Sequence, residues 1–197
     1  MSIVEIIGIA SSISLLAGWR LYLCIFAVGL GMRLGWVPLP EHLQSLSALA
    51  NGWVIGIAGT GAVAEFFVDK VAWVDSLWDT IHTLVRPVGG ALLALALVDS
   101  GNPAWQLVVL LLGGGATTLS HGAKAGSRAL VNTSPEPVSN IVVSSSEDLL
   151  TGGLLIATLS NPVAAAVIAA ALFVTAILIL MMLRRLLRRH LVKTVPD

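Results

Sequence analysis

Charge is scarce in this sequence. Only 11% of its 197 residues are Asp, Glu, Lys or Arg, against roughly 25% in an ordinary soluble domain. Neither sign is in surplus, with 11 bases and 11 acids, so the chain lacks the basic excess by which a nucleic-acid binder neutralises phosphates. Cysteine is limited to Cys24, which excludes a disulfide scaffold. Disorder is excluded by the opposite trend, because 56% of the residues are hydrophobic and a disordered chain has little hydrophobicity and much charge. No zinc motif or serine-hydrolase elbow is present, and Gly113-Gly114-Gly115 is not followed by the Lys-Ser/Thr of a phosphate loop. No cofactor is expected. A cleavable signal peptide is not expected either, since Glu5 stands where a basic residue would open one.

What remains is apolar. The mean hydropathy of +0.92 points to an integral membrane protein. The clearest span is Pro162 to Leu183, 22 residues without a charge, long enough to cover about 33 Å of a hydrocarbon core of about 30 Å. Other apolar stretches lie near 3–32, 53–68, 85–98, 104–119 and 138–159; the first has Arg20 in its middle, and the glycines 113–115 weaken a helix at the end of the fourth. Arg184, Arg185, Arg188, Arg189 and Lys193 follow the last span against Asp197 alone, which places the 184–197 tail in the cytoplasm by the positive-inside rule. Six crossings then put both termini in the cytoplasm, with Lys70, Arg86, Lys124 and Arg128 at inner ends and Arg33 as the exception. Residues 1–183 form one membrane domain.

Two connecting segments are amphipathic. From Asp69 to Val85, apolar residues recur at helical spacing while Asp75, Asp79 and His82 occupy another face, as in a helix lying among lipid headgroups. Glu41 to Ala50 is a shorter candidate. The halves of the domain, about 3–99 and 104–183, are weakly alike. Ala17-Gly18-Trp19-Arg20 aligns with Ala125-Gly126-Ser127-Arg128, Glu65 with Glu147, and Pro87 with Pro162. The expected fold is therefore all-α, with about six transmembrane helices in two three-helix repeats. Single crossings would make the repeats inverted, as in many transporters; re-entry of the chain at the AGxR helices would make them parallel.

Arg20, Lys124, Arg128, Glu65, Glu147 and Asp148 lie within or beside apolar stretches. A charge at the bilayer centre costs at least about 2.5–3.5 kcal/mol, so mutual pairing is expected. The pairs either glue the repeats together or line a polar cavity where Arg20, Lys124, Arg128 and His121 hold an anionic group and Glu65, Asp69, Glu147 or Asp148 carries a proton. Ser144, Ser145 and Ser146 either cap Glu147 or line a path. Gly52, Gly56 and Thr60, with Gly59 and Gly61, give the spacing of close helix packing. Asp75, Asp79 and His82 fit a solvated helix face better than a divalent-metal site. His121 could titrate near neutral pH, and Cys24 is expected to be buried and inert. Asn132-Thr133-Ser134 reads as a glycosylation sequon but falls on the inner side.

Three stretches carry a family likeness: Ala17-Gly18-Trp19-Arg20 with Arg33-Leu34-Gly35; Glu65 through Asp69, Lys70, Asp75 and Asp79 to Arg86, Pro87 and Gly90; and His121 through Lys124, Gly126 and Arg128 to Asn132, Asn140, Glu147 and Asp148. On these the chain resembles a family of small bacterial and plastid-related membrane proteins termed domain of unknown function 4126, over nearly its whole length apart from the tail. Trp73 stands where that pattern has a proline. The resemblance implies an integral membrane protein with charged motifs and implies no activity.

Three functions fit these features. The first is a small transporter or translocase of an anionic small molecule or lipid headgroup, with its charged site at the bilayer midplane. The second is a membrane scaffold whose charges are structural, and the third a metal-dependent membrane enzyme built on Asp75, Asp79 and His82. The expected partners are the lipid bilayer and, for an assembled form, further copies of the chain.

Overall fold

The three largest fully buried side chains are Arg20, Arg86 and Arg128, whereas Trp53, Leu84 and Leu149 are 83%, 79% and 79% exposed. A water-soluble protein has the reverse distribution; a lipid-facing surface requires this one, with backbone polar groups satisfied inside helices. The computed structural model describes residues 3–133 and 137–193, and all regular structure in them is helical. The helices are α1 (Ile3–Ala17), α2 (Leu21–Arg33), α3 (Gly52–Val68), α4 (Ala72–Val98), α5 (Pro103–Val131), α6 (Pro137–Ser160) and α7 (Pro162–Lys193), with a 3-10 helix at Gln44–Ala50. Ser134 of the sequon and residues 194–197 of the tail lie outside the described residues, as do Met1 and Ser2.

The helix starts are written in the sequence. Asn51, Asn102 and Asn161 each accept a hydrogen bond from a backbone N–H two residues on, at 2.8–2.9 Å, and Pro103 and Pro162 occupy the first helical position, where no N–H is needed. Four helices, α4 to α7, are long and apolar enough to cross a membrane, or five if the 3-10 helix and α3, bent by 59°, make one broken span.

Call the end of the bundle that holds the connections at 99–102 and 161 the upper end, and that at 69–71 and 132 the lower end. α4 and α6 run from lower to upper, and α3, α5 and α7 from upper to lower. α1 enters at the upper end, where Gly8 backs onto Ala166 of α7 and the Ser12 hydroxyl meets that of Thr158 at 2.8 Å. It ends at Gly18 against Thr117, Ser120 and His121 of α5. α2 then returns upward along α3: Tyr22 packs on Gly61, Phe26 on Gly59, and Arg33 reaches Gly52. The chain thus makes a helical hairpin, with helices of 15 and 13 residues, each too short for a hydrocarbon core of about 30 Å.

This geometry corrects several expectations. Ile3 lies at the upper end and Lys193 at the lower, so the two helical termini are on opposite sides of the bundle and cannot both face the cytoplasm if the bundle spans the membrane. The first AGxR unit breaks the helix, but the second lies inside the unbroken α5. That helix also runs through Gly113–Gly115, and Gly113 and Gly114 admit α4: a Cβ on Gly113 would lie 2.6 Å from that of Ala94, and one on Gly90 would lie 1.8 Å from the Thr117 hydroxyl. No separate interfacial helix spans 69–85. It is the lower half of α4, and its polar face is covered, with Asp75, Asp79 and His82 all buried. The basic tail begins as the continuation of α7.

Candidate functional site

The charged residues of α3 to α6 fall in the lower halves of their helices or, for Arg86, at the middle, and the tip of the α1–α2 hairpin delivers Arg20 among them. On α4 the spacing Asp75, Asp79, His82, Arg86 keeps all four on one stripe. α3 adds Glu65 and, just past its end, Asp69; α5 adds His121, Lys124 and Arg128; α6 adds Ser144, Glu147 and Asp148.

The uppermost group centres on Arg86. Its Nη2 donates to Glu65 Oε1 at 2.8 Å, and its Nη1 lies 2.9 Å from Asp79 Oδ1 and 2.7 Å from His121 Nδ1. A guanidinium only donates, so Nδ1 of His121 accepts and the proton of a neutral ring sits on Nε2, 3.1 Å from the Thr83 hydroxyl, which itself donates to the Asp79 carbonyl. His82 has the other tautomer: Nδ1–H donates to the Trp78 carbonyl at 2.8 Å, leaving Nε2 to accept from the Tyr22 hydroxyl at 3.1 Å. Trp78 stacks on the His82 ring at 4.2 Å.

The central group surrounds the hairpin tip. Arg20 Nη1 and Lys124 Nζ both bind Asp69 Oδ2, at 2.7 and 2.6 Å. Arg20 Nη2 reaches Asp148 Oδ1 at 2.7 Å and stands 3.9 Å from Glu147 Oε2. Lys70 holds the other Asp148 oxygen at 3.0 Å. The break also leaves its own carbonyls free for other donors, since Gly18 O accepts from Arg86 and Trp19 O from Lys124. In the lowest group Arg128 Nε donates to Asp75 Oδ2 at 3.1 Å, its Nη2 to the Asp69 carbonyl, and Asn132 adds a 2.7 Å bond to Asp75.

Of the residues selected from sequence, Arg20, Lys124, Asp69, Glu147 and Asp148 come together directly. Glu65 and His121 meet through Arg86. Arg128 joins through Asp75 and the Asp69 backbone. Asp75, Asp79 and His82 turn to different partners, Arg128, Arg86 and Tyr22 in turn, and among the described residues no group of three or more His, Cys, Asp or Glu is placed to hold a metal ion. Arg86, Lys70, Asn132 and Tyr22 were not selected, although the four-three-four spacing that ends at Arg86 was a readable signal. Several bonds cross between the two halves of the chain, Arg20–Asp148, Lys124–Asp69 and Arg128–Asp75 among them.

Away from this layer, an apolar cavity of about 350 Å³ opens between α1, α4 and α5 toward the upper end, lined by Ile6, Ala10, Val98, Trp105, Val109 and Leu112 among others, with Ser14 and Gly113 also in its wall. The upper end is fastened by Asp99. Its backbone is left-handed, φ 40°, and its carboxylate accepts the N–H groups of Glu41, His42 and Leu43. Partial burial disfavours the Asp99 carboxylate, but these backbone bonds outweigh it and hold the group below the usual carboxylate range.

No curated protein and no solved structure matches the chain. The model of the family described as domain of unknown function (DUF4126) matches residues 7–182, from the first turns of α1 through the whole charged layer into α7, and the chain belongs to that family.

Proposed function

We propose that the protein is a small membrane transporter or translocase, and that the tip of the α1–α2 hairpin is its substrate site. The observation that carries this reading is the convergence of Arg20 and Lys124 on one oxygen of Asp69. Two cations spaced to hold a single anionic oxygen are also spaced to hold the carboxylate or phosphate oxygen of a substrate or lipid headgroup in its place. Asp69 and Asp148 each keep a lysine when Arg20 turns away, so Arg20 can exchange partners without stranding a buried charge. Helix breaks and half-helix ends at membrane depth are how many secondary transporters build such sites.

The tail arginines and the charged layer share the lower end, which supports assigning that end to the cytoplasm of a bacterial inner membrane, with α1 and α2 as a re-entrant hairpin from the other side. The opposed directions of α3 and α6, and of α4 and α7, support inverted halves; the unequal AGxR units argue for halves that have diverged.

A second reading is favoured by the closure of the network. Each cation of the layer already has an acidic partner, and bonds across the halves would hold a scaffold together. Purified protein in liposomes separates the two. The transport reading expects uptake of an anionic solute or movement of a labelled anionic lipid, lost in Arg20→Gln in protein that still folds cooperatively. No flux of anion, lipid or proton through the folded wild type contradicts it.

A further inference from the structure

We propose that Glu147 is a proton-binding carboxylate, and that it is the one acid of the charged layer that holds an exchangeable proton. As the coupling group of a carrier it rests on the transport reading above; as a proton site it does not.

The argument is a charge count. Among the described residues the layer holds five cations, Arg20, Lys70, Arg86, Lys124 and Arg128. Five carboxylates, Glu65, Asp69, Asp75, Asp79 and Asp148, touch them at 3.1 Å or less. That set is neutral. Glu147 is the sixth carboxylate. Its side chain is 13% exposed, its contact with Arg20 is 3.9 Å, and its buried Oε2 has no hydrogen-bond partner. An ionised carboxylate in that position would be a buried charge without a compensating cation, and such a group is neutralised by taking up a proton.

A second feature surrounds it. Asn140, Ser144, Glu147 and Thr151 form one stripe of α6 by their spacing. Asn140 and Thr151 are buried, yet the Asn140 amide and the Thr151 hydroxyl have no hydrogen-bond partner. The stripe therefore supplies spare donors and acceptors on the face that carries the acid.

The charged groups around Glu147 come from several elements: Arg20 from the hairpin tip, Asp69 and Lys70 from the α3–α4 connection, Lys124 and Arg128 from α5, and Asp148 from α6 itself. α7 has no charged residue before Arg184. An anion that takes the place of Asp69 on Arg20 and Lys124 adds a negative charge to a layer that is neutral only while Glu147 is protonated, so the bound anion favours the protonated acid. Binding of an anion and uptake of a proton are coupled in this way, with no other reactant.

Infrared titration of the full chain in liposomes tests the proposal. The wild type is expected to show the carbonyl band of a protonated carboxyl group that disappears on alkalinisation. Glu147→Gln is expected to lose that band, Asp148→Asn to keep it, and Glu147→Asp to keep it at a shifted pH. A wild type with no titrating band overturns the proposal without any variant, and so does a band that survives Glu147→Gln or that sodium, rather than pH, removes. A band without flux leaves the proton site standing and removes the transport reading; flux without a band does the reverse.

Discussion

The chain contains the AGxR unit twice and folds it in two ways. Ala17-Gly18-Trp19-Arg20 breaks a helix, while Ala125-Gly126-Ser127-Arg128 continues one. At Gly18 a Cβ would lie 1.9 Å from the Ser120 hydroxyl, 2.6 Å from the Thr117 carbonyl and 2.8 Å from the His121 amide, so backbone meets backbone. At Gly126 the nearest obstacle is the flexible end of Leu183, at 2.5 Å. The arginines differ to match. Arg20 caps no helix with its side chain and shares both of its bonded carboxylates with lysines. Arg128 is the sole cation on Asp75 among the described residues. One motif therefore supplies an exchangeable arginine at a break and a fixed one in a helix.

The comparison is sharpened most by removing each arginine. Arg128→Met strands Asp75 in the interior and is expected to cost about 3–5 kcal/mol. Arg20→Met leaves Asp69 and Asp148 with a lysine each and is expected to cost less, about 1–3 kcal/mol. Thermal unfolding in detergent measures both, and the reverse order would break the distinction between fixed and exchangeable. The glycines come next. Gly18→Ala must push the hairpin off α5, with an expected loss of about 1–3 kcal/mol, whereas Gly126→Ala needs only a new Leu183 rotamer and is expected to stay within about 1 kcal/mol.

The smallest effect lies at the upper end, away from both units. The folded pKa of Asp99 is depressed by its backbone bonds. Its stabilisation is therefore present above the unfolded carboxylate value of about 3.9 and is lost as the pH falls through the folded value. Asp99→Asn is expected to lower the melting temperature slightly at neutral pH and to leave it nearly unchanged in acid. A loss that is equal at both pH values would show that the charge of Asp99 adds nothing there.

Much of the bundle was legible in the sequence. The five later helices carry their own signals: apolar stretches of near-spanning length, asparagine caps and first-turn prolines. The hairpin was legible only as an alternative, a broken or re-entrant helix at either AGxR unit, because nothing local separates one unit from the other; the close approach of α5 to Gly18 decides between them. The continuity of α5 through three glycines is likewise a tertiary effect, since glycine weakens an isolated helix but admits a neighbouring one. For the site, helical spacing reveals that Asp75, Asp79 and His82 share a face but not whether water or protein covers it. Solvation was the economical reading until Arg86, Arg128 and Tyr22 supplied partners from the same stripe, from α5 and from α2.

The account rests on a hairpin that reaches the charged layer from the upper end, and the sidedness of the two helical termini tests this most directly. Cys24 is fully buried, so a cysteine introduced at the exposed Val4 or Leu187 can be read in sealed vesicles with a membrane-impermeant thiol reagent. Labelling of Val4→Cys and Leu187→Cys from opposite sides is the predicted result. Labelling of both from the same side would contradict the hairpin and, with it, the placement of Arg20.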